Sequence, residues 1–308
     1  MAMEVKRLNH RVNDPRAWTG SAAGDRELGR RTLPEECGEL IAGVLEAWRR
    51  DPGSVTEVRL DASQRSAGKQ ALLPLLDQLK TGCGFVVLDE VHADGWVQDE
   101  IKLAYWLIGH MIGSPWSEHS MFDNVLNTGA NLVIDEGVSF HTDASFLDMP
   151  PEYIGLLCLR PARSGGENRM LSAYSLHNAI LDRCPHLLDT LYQPFFFDRR
   201  GQFAPGEATT FDYPVFDWNG TDLAIRYFNQ DIQLGHRNAG CPMTPLQCEA
   251  LEAVENILED EDLYVEFMLR PGQSLWANNR WMLHKRNVYL DHKSLEQRRH
   301  FVRMYLLR

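Results

Sequence analysis

Apolar residues in the first third of the chain recur three and four positions apart, the spacing of one face of a helix. This pattern predicts a helix over residues 35–50, with Thr32 as the capping residue before it. A second helix is predicted over 62–82, interrupted by Pro74, because proline cannot continue the hydrogen-bond ladder inside a helix. A third helix is predicted over 96–111.

Short runs of β-branched and aromatic residues predict strands, first over residues 83–91 and then repeatedly from Val133 onward. Two of these runs flank Asn219-Gly220, a dipeptide typical of hairpin turns. Helices interrupt this region over 172–183 and after Thr244, where a proline and a glutamine in the first turn complete a capping signal.

Helices followed by many antiparallel strands with a helical insert predict an α+β fold. The number of short strands favours a jelly-roll core, or double-stranded β-helix, with flanking helices. We expect one domain over residues 1–308. In it a mostly helical portion, residues 1–82, packs on a jelly-roll region with a helical insert, residues 83–308.

The amino-acid composition and net charge argue against some classes of binding partner. Apolar residues make up 44% of the chain, enough for a full core, and 43 acidic against 31 basic residues give a net charge of -12. Such a balance argues against a nucleic-acid backbone as partner. No run approaches the roughly 18 apolar residues of a membrane span, the start has no apolar leader segment, and the six cysteines are scattered without a close pair. We expect a cytoplasmic protein without a membrane partner, and the sequence leaves its oligomeric state open.

The His-Thr-Asp sequence at 141–143 offers two candidate metal ligands. Residues i and i+2 of a strand point to the same face, so His141 and Asp143 would project together. A strand with two polar surface residues would give the same pattern, and a metal site needs a third ligand. His284 follows a strand-like run near the C-terminal end, whereas His110 and His177 lie on predicted helices among apolar neighbours. Two histidines and one carboxylate are the ligand set of non-haem Fe(II) oxygenases.

The last predicted strand carries arginines among apolar residues. Arg299 and Arg303 would share one face, with Arg298 on the other. Burying a guanidinium is costly unless it meets an anion, although a surface strand would carry both arginines freely. A guanidinium is also the natural receptor for a carboxylate.

In their order along the chain, these motifs resemble the taurine dioxygenase-like branch of the Fe(II)/2-oxoglutarate oxygenases, which includes the clavaminate synthase-like enzymes. The resemblance spans Gly84 to Leu307. It is carried by HTD at 141–143, LLCLRPARSGGEN at 156–168, NNRWMLHKR at 278–286 and RRHFVRMYL at 298–306.

The resemblance implies that His141, Asp143 and His284 hold Fe(II), while Arg299 and Asn168 bind the cosubstrate 2-oxoglutarate. Asn168 departs from the threonine or serine more often found there, but its amide can still donate to a carboxylate. Halogenating relatives carry a small residue in place of the carboxylate, so Asp143 favours oxygen chemistry.

The implied reaction consumes O2 and 2-oxoglutarate, releases succinate and CO2, and hydroxylates an unactivated C–H bond. The same centre would also serve desaturation, epoxidation or cyclisation. Arg303 suggests a small anionic or zwitterionic substrate, such as an amino acid, an amino-acid-derived natural-product precursor or a sulfonate. Ser145, Phe146 and Asn131 are further candidates for substrate contact.

Two other classes of protein remain open. A zinc hydrolase could use the same three ligands, but it gives no role to the arginines of the last strand or to the Gly-Gly-Glu-Asn segment ending at residue 168. A jelly-roll protein without catalytic activity could carry the same motifs as surface features.

Overall fold

The computed structural model describes residues 6–23, 28–89, 95–116, 123–134 and 139–307. The α-helices are α1 (Gly20–Ala23), α2 (Glu35–Arg50), α3 (Ala62–Ala71), α4 (Leu73–Lys80), α5 (Gln98–Ile112), α6 (Ala173–Arg183), α7 (Pro185–Leu191), α8 (Asn229–Asn238) and α9 (Pro245–Leu258). Short 3-10 turns lie at Val55–Glu57 and Leu295–Gln297.

The strands are β1 (Arg30–Arg31), β2 (Phe85–Leu88), β3 (Ser114–Pro115), β4 (Asp123–Leu126), β5 (Val133–Ile134), β6 (Tyr153–Arg160), β7 (Ser164–Gly165), β8 (Asn168–Ser172), β9 (Pro194–Asp198), β10 (Thr210–Pro214), β11 (Phe216–Trp218), β12 (Leu223–Ile225), β13 (Tyr264–Phe267), β14 (Ser274–Asn278), β15 (Met282–Arg286), β16 (Tyr289–Leu290) and β17 (His300–Leu307). The chain therefore mixes helix and sheet, as its sequence predicts. None of the described helices is both long and apolar enough to cross a membrane.

Helix α2 has the predicted extent, but the predicted cap is wrong. Its capping position is Pro34, which makes no side-chain capping bond, and Thr32 lies outside the helix. The proline disfavours helical backbone at Leu33, the residue before it, so the helix begins only after Leu33, with Pro34 at the capping position. The predicted break near Pro74 is confirmed, because α3 and α4 are separated at Leu72.

Helix α9 begins where the sequence predicts and has the predicted capping box. The backbone N–H of Gln247 donates to Thr244 Oγ1 (3.2 Å), and the N–H of Thr244 donates to Gln247 Oε1 (2.9 Å). The hairpin of β11 and β12 is also confirmed, although residues 219–222 join the strands in place of a two-residue turn. Helices α7 and α8 were not predicted from the sequence.

The largest sheet has the strand order β1-β2-β14-β6-β17-β3, with β4 also paired to β17. It is antiparallel apart from the short β1–β2 pair. Its strands β2, β6, β14 and β17 are buried on both faces, which explains why they are mostly apolar. One face packs against α2 to α5, with Val302 and Met304 of β17 in that core. The other face, which includes Phe301 and Tyr305, packs toward the helical insert of α6, α7 and α9.

A second sheet has the order β13-β8-β15, and it shares the core on the insert side of the large sheet. Leu171 of β8 and Leu283 of β15 lie in that core together with Leu275 of the large sheet. A third small sheet has the order β5-β16-β7. Its middle strand, β16, lies between β15 and β17 in the sequence. Strand β15 and strand β17 carry the residues of the site described next.

Candidate metal centre

Three candidate ligands converge although they are far apart in sequence. One donor atom from each of His141, Asp143 and His284 lies within 4.8 Å of the other two. Oδ1 of Asp143 is 3.2 Å from Nε2 of His141 and 3.6 Å from Nε2 of His284. The two imidazole rings are 4.2 Å apart between centroids. The structure thus brings together the three residues that the sequence singled out.

The route by which the first two ligands meet differs from the prediction. His141 forms one isolated antiparallel bridge to His284, with both backbone N–H···O distances at 3.0 Å. Asp143 then begins a turn in which Ala144 has φ 55. The prediction of a regular strand over this segment is wrong for residues 139–143, and Val138 lies outside the described residues. The side chains converge because the chain turns at Asp143, rather than through the two-residue period of a strand.

Asn279 fixes this turn, and the sequence analysis did not assign it a role. Its Oδ1 accepts the backbone N–H of Asp143 (2.8 Å), and its Nδ2 donates to the carbonyls of Asp143 (2.9 Å) and Pro151 (3.2 Å). The side chain is buried. A polar Asn-Asn pair directly after the apolar strand β14 was the available signal, since buried amides occur where backbone groups need partners.

A second unpredicted residue, Arg226, holds the far side of the turn. Its guanidinium donates to the carbonyl of Leu147 (2.9 Å) and to that of Asp148 (3.1 Å). It also lies 4.0 Å from the ring centroid of Tyr213. Burial lowers the pKa of Arg226 to about 10, so the guanidinium remains charged at neutral pH.

The orientation of His141 and the pKa directions of Asp143 and His284 suit metal ligation. The Nδ1–H of His141 donates to the carbonyl of Ser139 (2.8 Å), which leaves the Nε2 lone pair toward Asp143. Burial alone would raise the pKa of Asp143, but its contacts with the imidazoles of His141 and His284 hold it well below its usual range. Burial and the neighbouring His141 lower the pKa of His284. A carboxylate and neutral imidazoles are the forms that bind a cation.

Arg303 and Tyr305, both on β17, approach the second oxygen of Asp143. Nη1 of Arg303 lies 3.8 Å from Asp143 Oδ2, and Nη2 lies 3.3 Å from Asp123 Oδ2. Burial, reinforced by the nearby Asp143 carboxylate, raises the pKa of Tyr305 far above its usual value, so its hydroxyl keeps its proton. About a third of the Arg303 side chain is exposed, and its Nε has no partner among the described residues.

Arg299 is a buried cation with no salt bridge to any described residue. Its guanidinium carbon lies 3.8 Å from the ring centroid of Phe301. Burial, with the nearby charge of Arg286, lowers its pKa to about 10. A Cβ on Gly166 would lie 3.8 Å from its Nε, so the Gly-Gly-Glu-Asn segment passes beside it. Arg298 faces elsewhere, and donates to backbone carbonyls of residues 127, 129 and 292.

Asn168 is buried, and its Nδ2 has no hydrogen-bond partner among the described residues. A buried amide donor left unpaired costs free energy unless a ligand accepts from it. Within the described part of the chain, Asn168 therefore offers a buried donor without an acceptor, and Arg299 a buried cation without a salt bridge.

The other candidate residues have different surroundings. Ser145 is buried beside the turn, and its hydroxyl donates to Asp231 (2.8 Å). The ring of Phe146 lies near Arg200, whose guanidinium carbon is 5.5 Å from the centroid of that ring. Asn131 is exposed and bonds within its own loop, its Oδ1 accepting the N–H of Val133 (3.2 Å). None of the hydrogen bonds described for Asn131 joins it to the three candidate ligands.

Comparisons with known proteins agree with these features. The model of the family described as "Taurine catabolism dioxygenase TauD, TfdA family" matches residues 50–305. FR-33289 synthase of Streptomyces rubellomurinus is 26% identical, over 98% of this chain and 92% of its own. Uridine-5'-phosphate dioxygenase of an Amycolatopsis species is 29% identical over 48% of this chain and 52% of its own.

Two solved structures share the fold. Asparagine oxygenase in complex with Fe(II), 3-hydroxyasparagine and succinate superposes with a TM-score of 0.66 at 18% identity, covering 91% of this chain and 93% of its own. The non-heme iron oxygenase OrfP in complex with Fe and alpha-ketoglutaric acid has a TM-score of 0.66 at 13% identity, covering 90% of this chain and 93% of its own.

Proposed function

Because the chain belongs to the taurine catabolism dioxygenase TauD, TfdA family, we propose that it hydroxylates an unactivated C–H bond of a small carboxylate-bearing substrate. Membership confirms the resemblance drawn from the sequence motifs, and with it an Fe(II)- and 2-oxoglutarate-dependent dioxygenase. The assignment of residues rests on one observation: donor atoms of His141, Asp143 and His284 all lie within 4.8 Å of one another. In this proposal they hold the Fe(II).

The donor set and its surroundings fit these cofactors. Two imidazoles and one carboxylate suit Fe(II) and leave coordination positions for other ligands. The guanidinium of Arg299 and the amide of Asn168, which have no salt bridge and no acceptor respectively among the described residues, suit the far carboxylate of 2-oxoglutarate. When bound, iron and 2-oxoglutarate supply the oxidising chemistry, in which O2 is consumed and succinate and CO2 are released.

The residues of the chain orient the metal ligands and bind the substrate. Asn279 and Arg226 fix the turn that carries Asp143, and the hydrogen bond from His141 to Ser139 fixes the orientation of that imidazole. Arg303 offers a partly exposed guanidinium beside Asp143, and we assign it to the carboxylate of the substrate. Precise positioning of the target C–H bond is the contribution of the protein to such reactions.

An amino acid or an amino-acid-derived metabolite is the substrate class that we propose. Two solved structures of the same fold are complexed with 3-hydroxyasparagine and with hydroxy-L-arginine, and both molecules carry an α-carboxylate. A partly exposed arginine beside the candidate iron ligands suits such a group. Phe146, beside the same turn, is a candidate wall of the pocket.

We further propose that the large sheet and the β13-β8-β15 sheet are the two halves of a jelly roll within a single domain. Their shared apolar core supports this proposal, as does the packing of α2 to α5 on the other face of the large sheet. The six cysteines are free, which supports a reducing, cytoplasmic location.

The test is an anaerobic titration of the purified protein with Fe(II) and 2-oxoglutarate, followed by a metabolite screen for succinate release. We expect a visible charge-transfer band and a product that has gained one oxygen. In Asp143→Ala the band and succinate release are lost while the fold survives. Asp212→Ala, at an exposed position on β10, is the matched control and keeps both.

Other results would favour other functions. Metal-dependent hydrolysis without the band would favour a zinc hydrolase. Succinate release that persists in Asp143→Ala would contradict the ligand assignment. A product that has lost two hydrogens would indicate desaturation or cyclisation by the same centre, and epoxidation of an alkene substrate would again add one oxygen.

A further inference from the structure

A buried carboxylate outside the ligand set joins three segments close to the turn at Asp143. Asp231, in the first turn of α8, is completely buried. Its Oδ2 accepts the hydroxyl of Ser145 (2.8 Å), two residues after Asp143, and its Oδ1 accepts Nε–H of Arg200 (2.6 Å). The cluster therefore joins α8, the loop after β9 and the turn that carries Asp143.

Aromatic rings place Arg200 close to the candidate metal ligands. Its guanidinium carbon lies 4.8 Å from the ring centroid of Phe228 and 5.5 Å from that of Phe146. The ring of Phe228 in turn lies 5.4 Å from that of His141. A single aromatic layer thus separates Arg200 from a ligand of the centre.

The ion pair leaves most of the Arg200 guanidinium available. Asp231 engages only Nε, and neither terminal nitrogen has a hydrogen-bond partner in the part of the chain that the structure describes. The side chain is 41% exposed, in contrast to its buried partner. Asp231 thus orients the guanidinium without occupying the pair of donors that binds oxyanions in a bidentate manner.

The backbone of Arg200 supports a role beyond stability. Arg200 has φ 50, a left-handed conformation that is uncommon for a residue with a side chain. Such strained positions concentrate at ligand-binding sites, where the surrounding structure holds them in place. Here the N–H of Arg200 donates to Asp198 Oδ1 (2.7 Å), which holds the loop in this conformation.

We propose that the terminal nitrogens of Arg200 bind a second oxyanion of the substrate, a carboxylate or a phosphate, while Arg303 binds its α-carboxylate. This inference rests on the proposed function and deepens it, because it names the substrate class as an amino acid with an anionic far end. The two cations approach different ligands of the centre. Arg303 lies beside Asp143, whereas Arg200 contacts Phe228, which in turn contacts His141. A substrate held at both ends would present its intervening C–H bonds to the metal centre.

Calorimetric binding of matched ligand pairs tests the inference. The protein is loaded anaerobically with Fe(II) and 2-oxoglutarate. It is then titrated with L-glutamate against L-glutamine, and with O-phospho-L-serine against L-serine. In the unmodified protein we expect at least one anionic-ended probe to bind about tenfold or more tightly than its neutral counterpart, the effect of one charge-assisted hydrogen bond. The two pairs distinguish a carboxylate subsite from a phosphate subsite.

Variants then assign the preference to Arg200. Arg200→Gln should bind anionic and neutral probes about equally, with unchanged affinity for the neutral ones, and Arg200→Lys should recover part of the preference. The control is Arg199→Gln, at the adjacent arginine, which pairs with Asp148 (2.9 Å), and it should keep the full preference. The charge-transfer band should persist in all three variants, which shows that the centre is intact.

The inference is overturned if the unmodified protein forms the band but binds no anionic-ended probe, or binds both members of each pair equally. It is also overturned if Arg199→Gln loses as much preference as Arg200→Gln. Absence of the band in the unmodified protein would instead overturn the proposed function, and this inference with it.

Discussion

At the scale of single residues, the Asn279 amide pairs with both backbone polar groups of Asp143. It accepts from the N–H and donates to the C=O of the same residue, across 136 positions of sequence. Outer partners of this kind orient a ligand that would otherwise rotate, and their loss typically costs ten- to hundredfold in metal affinity.

Asn279→Ala should therefore weaken Fe(II) binding about tenfold or more and lower the free energy of unfolding by about 2–4 kcal/mol, because the backbone groups that it pairs remain buried. Anaerobic metal titration and urea denaturation measure the two effects. Asn278→Ala is the matched control. Asn278 is equally buried but bonds to Leu79 and Arg280, so its loss should affect stability alone. Equal metal affinities in the two variants would contradict the positioning role of Asn279.

The arginines near the C-terminus also differ residue by residue. Arg298 donates to three backbone carbonyls, Arg299 is buried without a salt bridge to any described residue, and Arg303 is partly exposed beside Asp143. The alternation of faces along a strand does not explain the contrast between Arg298 and Arg299, because both precede β17, which begins at His300. It could not predict which of Arg299 and Arg303 reaches the centre, because that depends on the turn at Asp143.

At the scale of elements, β6 lies at the middle of the large sheet, between β14 and β17, and α5 packs across it. Gly155 of β6 permits this close approach. A Cβ there would lie 2.6 Å from Cζ3 of Trp276 and closer still to the hydroxyl of Tyr105. Both aromatic side chains are fully buried, so neither can move aside without disturbing the core.

Gly155→Ala should accordingly lower the free energy of unfolding by about 1–3 kcal/mol through overpacking. The contrasting variant is Gly43→Ala on α2, where no atom lies within 4 Å of the added Cβ. That change should stabilise the protein by up to about 1 kcal/mol, because alanine favours the helix. Urea denaturation shows whether each variant has a lower or a higher free energy of unfolding. A neutral or stabilising Gly155→Ala would mean that α5 packs less tightly on β6 than the structure indicates.

At the scale of the whole molecule, buried histidines make the free energy of unfolding depend on pH. Burial lowers the pKa of His110 to about 4, and the same cause lowers that of His300 to about 4. Both values lie below the 6.5 of an unperturbed histidine. The unfolded chain therefore takes up protons first as the pH falls. The stability associated with these groups is complete above pH 6.5 and is lost between 6.5 and about 4.

The metal-free protein should thus lose stability in this range, each histidine contributing up to about 1.4 kcal/mol per pH unit. His110→Leu should flatten that slope, because Nε2 of His110 has no partner among the described residues and the leucine cannot take up a proton. His186→Leu, at an exposed position on α7, is the control and should leave the slope unchanged. Equal slopes for all three proteins in urea titrations at several pH values would contradict this account.

The sequence by itself determined the features that depend on neighbouring residues. It predicted the extent of α2, the start of α9, the break near Pro74, and the hairpin around Asn219, because propensity, capping and turn chemistry act within a few positions. It also supplied the ordered motifs by which the family was recognised, since these are local strings of residues.

Only the tertiary structure decided how those motifs meet. The turn at Asp143, its support by Asn279, and the pairing of Arg200 with Asp231 join segments that lie 31 to 136 residues apart. No local pattern encodes such contacts. They form because the folded core fixes backbone polar groups and charges where a side chain from elsewhere in the chain must satisfy them.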